Sequence, residues 1–558
     1  MPKRPASESP EPSSKRHRPN VVPYIKRLSD ELFLRIASFL SISDLTSFQK
    51  VSKRFSRIAT DGQIWKALFY RRFVRPRASR IPGASRAPPS SLHYSSRNSR
   101  WLEDEGLARA SATNWKQLYR LRHNWNRGIC SVSEIDITAS SNEPLPPLPP
   151  PVPPLLVRLH KGMVFTVDST HGLRAWKWRN SKKSPIANAD LYQSSLDPSS
   201  YGAPTAMAID EDCDATKAVN ITVGFEKGGF CVYQLDMEMS SSTFRLRYID
   251  PRNGPSPGNS SHGPMIISMA YCTPYLLTMT ASQLLTAYRF EGSDDIDIDG
   301  SKGSAENRER MMHAPKILTS LHSHTVWPPL SLSLRRSTQS SVIACIVYAF
   351  PLYISGWSVG IQELRFSDDA DGVHDSRIAT AVPSGFNPVP NLSPASPPAQ
   401  SSVGSKSHSQ ANDVPLAQPT CLSYTHPYLL ASHADNTLTL YLVKSTASSV
   451  SIDSGQRLWG HTSGVSTAQV SSRGKAVSMS TRGLELRVWE LEGGVSEKRR
   501  LNASVRVESS QAYKGSDVVE EWRGDSQGWL GGFDEEKVVV LRAKDEGRQA
   551  LVVYDFSR

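Results

Sequence analysis

With 558 residues, 38% of them hydrophobic, the chain is long enough for two or three domains with sizeable cores, which excludes a small disulfide-stapled scaffold. Its formal net charge of +12 is unevenly placed: residues 1–130 hold 26 Lys/Arg against 9 Asp/Glu, the remainder 39 against 44, so the whole positive excess is N-terminal. Six scattered cysteines without a CxxC pair read as small buried hydrophobes, not as metal ligands or disulfides, and the longest apolar run, 342–357, is split by Pro351 and too short for a membrane span, so it reads as two buried strands.

Residues 1–23 form a polar, Pro/Ser-rich tail with no secretory signal. Lys3-Arg4 and Lys15-Arg16-His17-Arg18 are separated by ten residues. That spacing resembles a bipartite nuclear import signal, in which clustered point charges lie in acidic grooves of a receptor. It implies localisation to nucleus and cytoplasm, the nucleus favoured.

Residues 24–75 read as three short amphipathic helices. Ser29 stands at the first cap, ahead of an apolar stripe of Leu32, Phe33, Ile36, Ala37 and Leu40, and Leu28 is placed to staple against Phe33. Ser43 is expected to cap the second helix, with Asp44 in its first turn and a stripe of Phe48, Val51, Phe55 and Ile58. The third presents Ile64, Trp65, Leu68 and Phe69. A piece this short buries too little surface to be stable alone, so its apolar faces point to a partner.

The order Leu28, Glu31-Leu32, Ile36, Phe39-Leu40, Asp44-Leu45, Val51-Ser52, Phe55 and Trp65 resembles the F-box, with Ser29 where proline is usual and Phe55 where tryptophan is common. The resemblance implies docking on a Skp-family adaptor and, through it, on cullin and RING subunits of a ubiquitin ligase. Leu28, Leu32, Ile36, Leu40, Leu45 and Val51 are the residues expected at that interface, some of them shared with the domain's own core.

Residues 76–107 form a basic Ser/Arg/Pro linker without periodicity. A helix is predicted within 108–128, where Trp115, Leu118, Leu121, Arg122 and Trp125 fall at helical spacing. Trp115-Lys116, Leu118-Tyr119 and Asn124-Trp125 resemble the bridge between F-box and propeller in F-box proteins that carry WD repeats.

From residue 129 the texture is β. A Pro-rich stretch, 143–154, reads as a spacer, and seven β-rich units follow near 155–180, 204–237, 264–291, 330–366, 417–443, 456–491 and 516–556. Recurrence of short strands ending in an aromatic argues for radial repetition of small sheets. The unit from Gly460-His461 to Trp489-Glu490 resembles a WD repeat, and Asp435 fits the family's turn aspartate. Strand 129–137 is expected beside 551–556, closing the ring. Pro/Ser/Gly-rich or acidic inserts are expected near 250–263, 292–314 and 367–415.

One insert holds Asp295, Asp297, Asp299, Gly300 and Glu306, which satisfy a calcium-loop formula. A strand-like run precedes it where a helix is needed, and Lys302 takes a position that normally carries an aliphatic side chain, so an acidic surface loop is the preferred reading. No nucleophile, metal or phosphate-loop signature appears, and His322-Ser323-His324 lacks a third ligand. The fold expected is α+β and multidomain: an N-terminal three-helix F-box, a helical linker and an all-β propeller of about seven blades. The function implied is that of a non-catalytic substrate-recognition subunit, with no cofactor, no metal and no membrane contact. Its partners are the adaptor and a protein substrate. WD-repeat relatives of this kind read phosphorylated segments with arginines from blade strands, and Arg174 and Arg487 stand at such positions, though each reads more simply as an edge charge. The alternatives are a nuclear scaffold outside ubiquitin ligation and, less favoured, a nucleic-acid-binding propeller, for which aromatic interleaving is thin.

Overall fold

The computed structural model describes residues 28–74, 114–137 and most of 155–557, several strand connections excepted. Lys3, Arg4, Lys15, Arg16 and Arg18, the 76–107 linker and the calcium-like loop lie outside the described residues. The chain divides into two units between Tyr119 and Arg120.

Among the described residues, the segment where three helices were expected holds four: α1 (Asp30–Ala37), α2 (Ile42–Gln49), α3 (Lys53–Ala59) and α4 (Gly62–Phe69), followed by a π turn, Tyr70–Val74. The expected second helix breaks at Ser52, whose backbone is extended and whose hydroxyl accepts from the Phe55 amide at 3.2 Å. The cap of α2 is Ser41, not Ser43, because the Ser41 hydroxyl is the one that accepts from the Asp44 amide at 3.2 Å. Ser29 takes the N-cap position of α1 without a side-chain bond to it. Asp30 instead anchors that end, pairing with Arg54 at 2.7 Å and with Arg57 across the helices. A fifth helix, α5 (Trp115–Arg127), begins in this unit, where Trp115 packs on Phe69 and Tyr119 on Trp65. Phe33, Ala37, Leu45, Ile58, Trp65 and Phe69 are buried at the centre.

The second unit is a ring of seven sheets, antiparallel except where Glu508–Ser509 runs parallel to Ile129–Asp136 in the seventh. Six span 156–189, 204–249, 266–322, 327–380, 419–459 and 465–506 (blades 1 to 6). The seventh combines Gly528–Phe533, Lys537–Ala543 and Gln549–Asp555 with Ile129–Asp136. The innermost strands, from Leu156–His160 in blade 1 to Gly528–Phe533 in blade 7, each pack on the next, and the last packs on the first. Apolar clusters fill the gaps between blades, Phe165 and Phe225 between blades 1 and 2, Leu438 and Trp489 between blades 5 and 6. A closed ring of this kind leaves only short outer edges.

Closure occurs as the alternation of 129–137 predicts: Val132 pairs with Tyr554 and Ile135 with Leu551, antiparallel. Gly128 is needed just before this strand. Its φ is +67°, and a Cβ there would collide with the Arg506 carbonyl oxygen. The second half of α5 belongs to the ring. Trp125 stacks on Phe556 at 3.8 Å and donates its indole N–H to the Glu535 carbonyl, while the Asn124 amide donates to the Phe556 carbonyl at 2.8 Å. The Lys475 ammonium lies 4.2 Å from the Trp125 ring and 3.5 Å from the Glu535 carboxylate, which Arg473 also meets at 2.8 Å. Burial pulls the Lys475 ammonium down to about 8. Trp125→Ala should remove this stack at a cost of about 3–5 kcal/mol, read as a lower Tm of the propeller transition.

Several boundaries differ from the expectation, the outer strands of blades 1, 2, 3, 4 and 6 all lying beyond the expected units. Val373–Thr380, inside the expected 367–415 insert, is the outer strand of blade 4; its alternate residues are exposed, so it carries little apolar signal. Gln456–Trp459 pairs with Thr437–Ser445 and completes blade 5, so the WD-like unit is offset from the blade by one strand. In the 342–357 run the two strands part between Leu352 and Gly356, with Pro351 still in register opposite Trp357. Cys130, Cys231, Cys272 and Cys345 are buried, and burial pushes the thiols of Cys130 and Cys345 up to about 12, which keeps them protonated and unreactive. Among the described residues no helix is long and apolar enough to cross a membrane.

Candidate functional site

The helix α1 carries two apolar stripes. Phe33 and Ala37 face the core, whereas Leu32 (52% exposed) and Ile36 (47%), four residues apart, face solvent. Phe39 (75%) follows them, with the Arg35 guanidinium 5.0 Å from its ring, and Val51 (67%) is exposed between α2 and α3. Large apolar side chains left in water on so small a unit mark a surface for a partner. Of the residues expected at the adaptor interface, Leu32, Ile36 and Val51 lie on this exposed set. Leu28 and Leu40 are half-buried against the core. Leu45 is 1% exposed and serves the unit's own packing, as one of the expected residues shared with the core. Phe39 joins this exposed set, although the motif singles it out only as the residue before Leu40.

The propeller carries a second polar constellation, in blade 6. His461 Nε2 and Ser478 Oγ are 2.6 Å apart, Trp489 donates its indole N–H to the same oxygen at 2.7 Å, and His461 Nδ1 lies 3.3 Å from Glu485. The order carboxylate, imidazole, hydroxyl has the connectivity of a nucleophilic triad. Ser478 is fully buried and already accepts from Trp489, so the set is a strut between strands, without access for a substrate. Gly460 sits against this strut, where a Cβ would meet the Ser504 hydroxyl at 2.6 Å and Trp489 at 3.0 Å. Burial opposes ionisation of Glu485, but the Thr462 amide and the Arg487 guanidinium hold its carboxyl down at about 2. Asp435 accepts from the Thr437 amide and hydroxyl, closing a tight strand connection as the motif predicts.

The two arginines proposed for substrate contact are engaged inside the fold. Arg174 is buried, paired with Asp168 at 2.8 Å and set over Trp176. Arg487 donates to Glu485 at 2.6 Å and to Ser504 at 2.9 Å. Both act as struts within their blades.

Burial holds His461 and His160 down at about 4 and lowers His433 as well. All three are neutral in the fold, and each would take up a proton on unfolding below its ordinary value. For His461 and His160 the unfolded chain therefore binds more protons between about pH 6.5 and 4, and stability falls with pH in that window by about 1.4 kcal/mol per pH unit for each of these two, with His433 acting in the same direction. Thermal unfolding at pH 7.5 and 5.0 checks this; equal midpoints would contradict it.

Residues 130–557 match the family described as the F-box protein pof12 β-propeller, and residues 27–71 match the F-box-like family. The F-box protein pof12 of Schizosaccharomyces pombe is 24% identical over 177 residues, 32% of this chain and 34% of that protein, so the alignment spans about a third of the relative's length. Among solved structures, the C-terminal WD40 domain of Sif2 has 10% identity and a TM-score of 0.34, covering 72% of this chain and 94% of that one. Chaetomium thermophilum Sqt1 bound to the N-terminus of the ribosomal protein L10 has 13% identity and a TM-score of 0.35, covering 72% and 95%. With an F-box-like domain ahead of a seven-bladed ring matched over nearly its whole length, this chain belongs to the pof12-type family of F-box β-propeller proteins.

Proposed function

We propose that the chain is the substrate-recognition subunit of an SCF-type ubiquitin ligase. The F-box-like unit docks on a Skp-family adaptor, and the propeller holds a protein client within reach of the ubiquitin-loaded conjugating enzyme. Its contribution to rate is proximity and orientation, with the bond-making chemistry carried by other subunits. The observation that supports this most is the exposed Leu32, Ile36 and Phe39 row, on a unit that the same chain joins to a propeller. Affinity purification with mass spectrometry, comparing the intact chain with one lacking residues 24–75, tests it. Skp-family and cullin subunits should accompany the intact chain and vanish with the deletion. An intact chain that brings down neither overturns the ligase reading.

Nuclear action is part of the same proposal and rests on the basic pair of clusters. Replacing Lys15, Arg16 and Arg18 with alanine should move a fluorescent fusion from nucleus to cytoplasm; an unchanged distribution contradicts it.

A further inference from the structure

The outer row of α1 stays open to solvent among the described residues: Leu32 and Ile36 are about half exposed and Phe39 about three-quarters. The sequence just ahead of that helix carries a matching apolar stretch. Residues 21–25 read Val-Val-Pro-Tyr-Ile, and apart from Met1 no other large apolar side chain occurs in residues 1–27. The F-box-like match begins after this stretch, at residue 27, so the unit's own fold does not account for it. Val21, Val22 and Ile25 are β-branched and Pro23 disfavours helical backbone at Val22, so an extended chain is predicted there. Alternate side chains of an extended chain recur about every 6.7 Å, and residues four apart on a helix about every 6 Å. Ile25 and Pro23 therefore have the spacing of Leu32 and Ile36, and Val21 falls at Phe39, when the chain runs back antiparallel along α1. Seven residues separate Val21 from Leu28, a reach of about 23 Å against about 12 Å for the eight residues of α1, which leaves chain for the reversal. Leu28 packs against the unit's core, so the tether is anchored at the foot of the helix.

We propose that residues 21–25 are an internal competitor for the adaptor-docking face, lying along Leu32, Ile36 and Phe39 in the free chain and displaced when the adaptor binds. The tether decides the occupant. A short linker holds its segment at an effective concentration on the order of millimolar, which a second copy of the chain at micromolar concentration does not match. The adaptor then meets only the fraction of chains whose face is open, and its apparent Kd rises by the inverse of that fraction. This inference concerns regulation of the docking face and rests on the reading of that face given above.

Two measurements on the full chain test it. The first needs no adaptor. Benzoylphenylalanine incorporated in place of Val21 should, on irradiation, cross-link within one chain to Ile36 or Phe39, as mapped by mass spectrometry. Leu32→Glu/Ile36→Glu should remove most of that product. Cross-links that miss α1, or that join two copies when light and isotopically heavy chains are mixed, overturn the proposal. The second is calorimetric titration with purified Skp-family adaptor. The variant Val21→Ser/Pro23→Ser/Ile25→Ser leaves every described residue unchanged and should bind at least threefold tighter than wild type. Saturating adaptor should also suppress the cross-link. Equal affinities of variant and wild type overturn the competition. Binding by neither chain is a failure of the docking reading, told apart from failure of this inference by the cross-link.

Discussion

Deletion of residues 549–558 unfolds the propeller instead of merely shortening it. Gln549–Asp555 is an inner strand of blade 7, paired on one side with Lys537–Ala543 and on the other with Ile129–Asp136, and every residue in it is buried. The deletion also removes Phe556, the ring on which Trp125 stacks. Leu551, Val552, Val553, Tyr554 and Phe556 are each under 9% exposed, and at about 1.5–3 kcal/mol per large buried side chain their loss amounts to roughly 10 kcal/mol. That is as large as the whole net stability of a typical domain, about 5–15 kcal/mol. Both neighbouring strands would be left as unpaired edges. Circular dichroism and thermal denaturation should show loss of the cooperative β transition. A truncated chain melting at the wild-type temperature would refute non-covalent closure.

The double substitution Leu32→Glu/Ile36→Glu should abolish association with the Skp-family adaptor while leaving the F-box-like unit folded. Both side chains are about half exposed, so the substitutions place carboxylates where water already reaches and cost the free chain little. In a complex they would remove two aliphatic anchors and bury two charges. Losing the anchors alone is worth roughly 3–6 kcal/mol, or about a hundredfold to ten-thousandfold in Kd. Leu45→Ala is the contrasting control. That residue is fully enclosed, so its truncation should cost about 2–5 kcal/mol of stability and weaken binding only through unfolding. Calorimetric titration of each variant with purified adaptor, alongside its melting curve, separates the two outcomes. Wild-type affinity in the double variant would show that docking uses another surface.

The division between these residues explains which parts of the molecule the sequence disclosed. Leu32, Phe33, Ile36, Ala37 and Leu40 form one apolar band, wider than a single core-facing stripe needs, and only the fold separates the inward pair from the outward pair. The second helix was read as continuous because Phe48, Val51, Phe55 and Ile58 keep helical spacing across a break set by one serine hydroxyl. Blade number was readable from strand recurrence, and ring closure from the alternation of 129–137, since both depend on local period. The outer strand Val373–Thr380 was not, because a half-exposed edge strand has no apolar signature. Arg174 and Arg487 are suggested by analogy of position, and their acidic partners, Asp168 and Glu485, stand only six and two residues away, but no motif or periodicity marks them as pairs.

The ring's last sheet joins residue 136 to residue 550 and residue 131 to residue 555. Translation at about 5–20 residues per second puts roughly 20–80 s between the two halves of that sheet leaving the ribosome. During that interval the nascent chain holds finished blades with an open flank at each end, the period in which a chaperone has something to cover. A message cut short before codon 549 yields no half-working propeller, only a product whose sticky edges invite clearance.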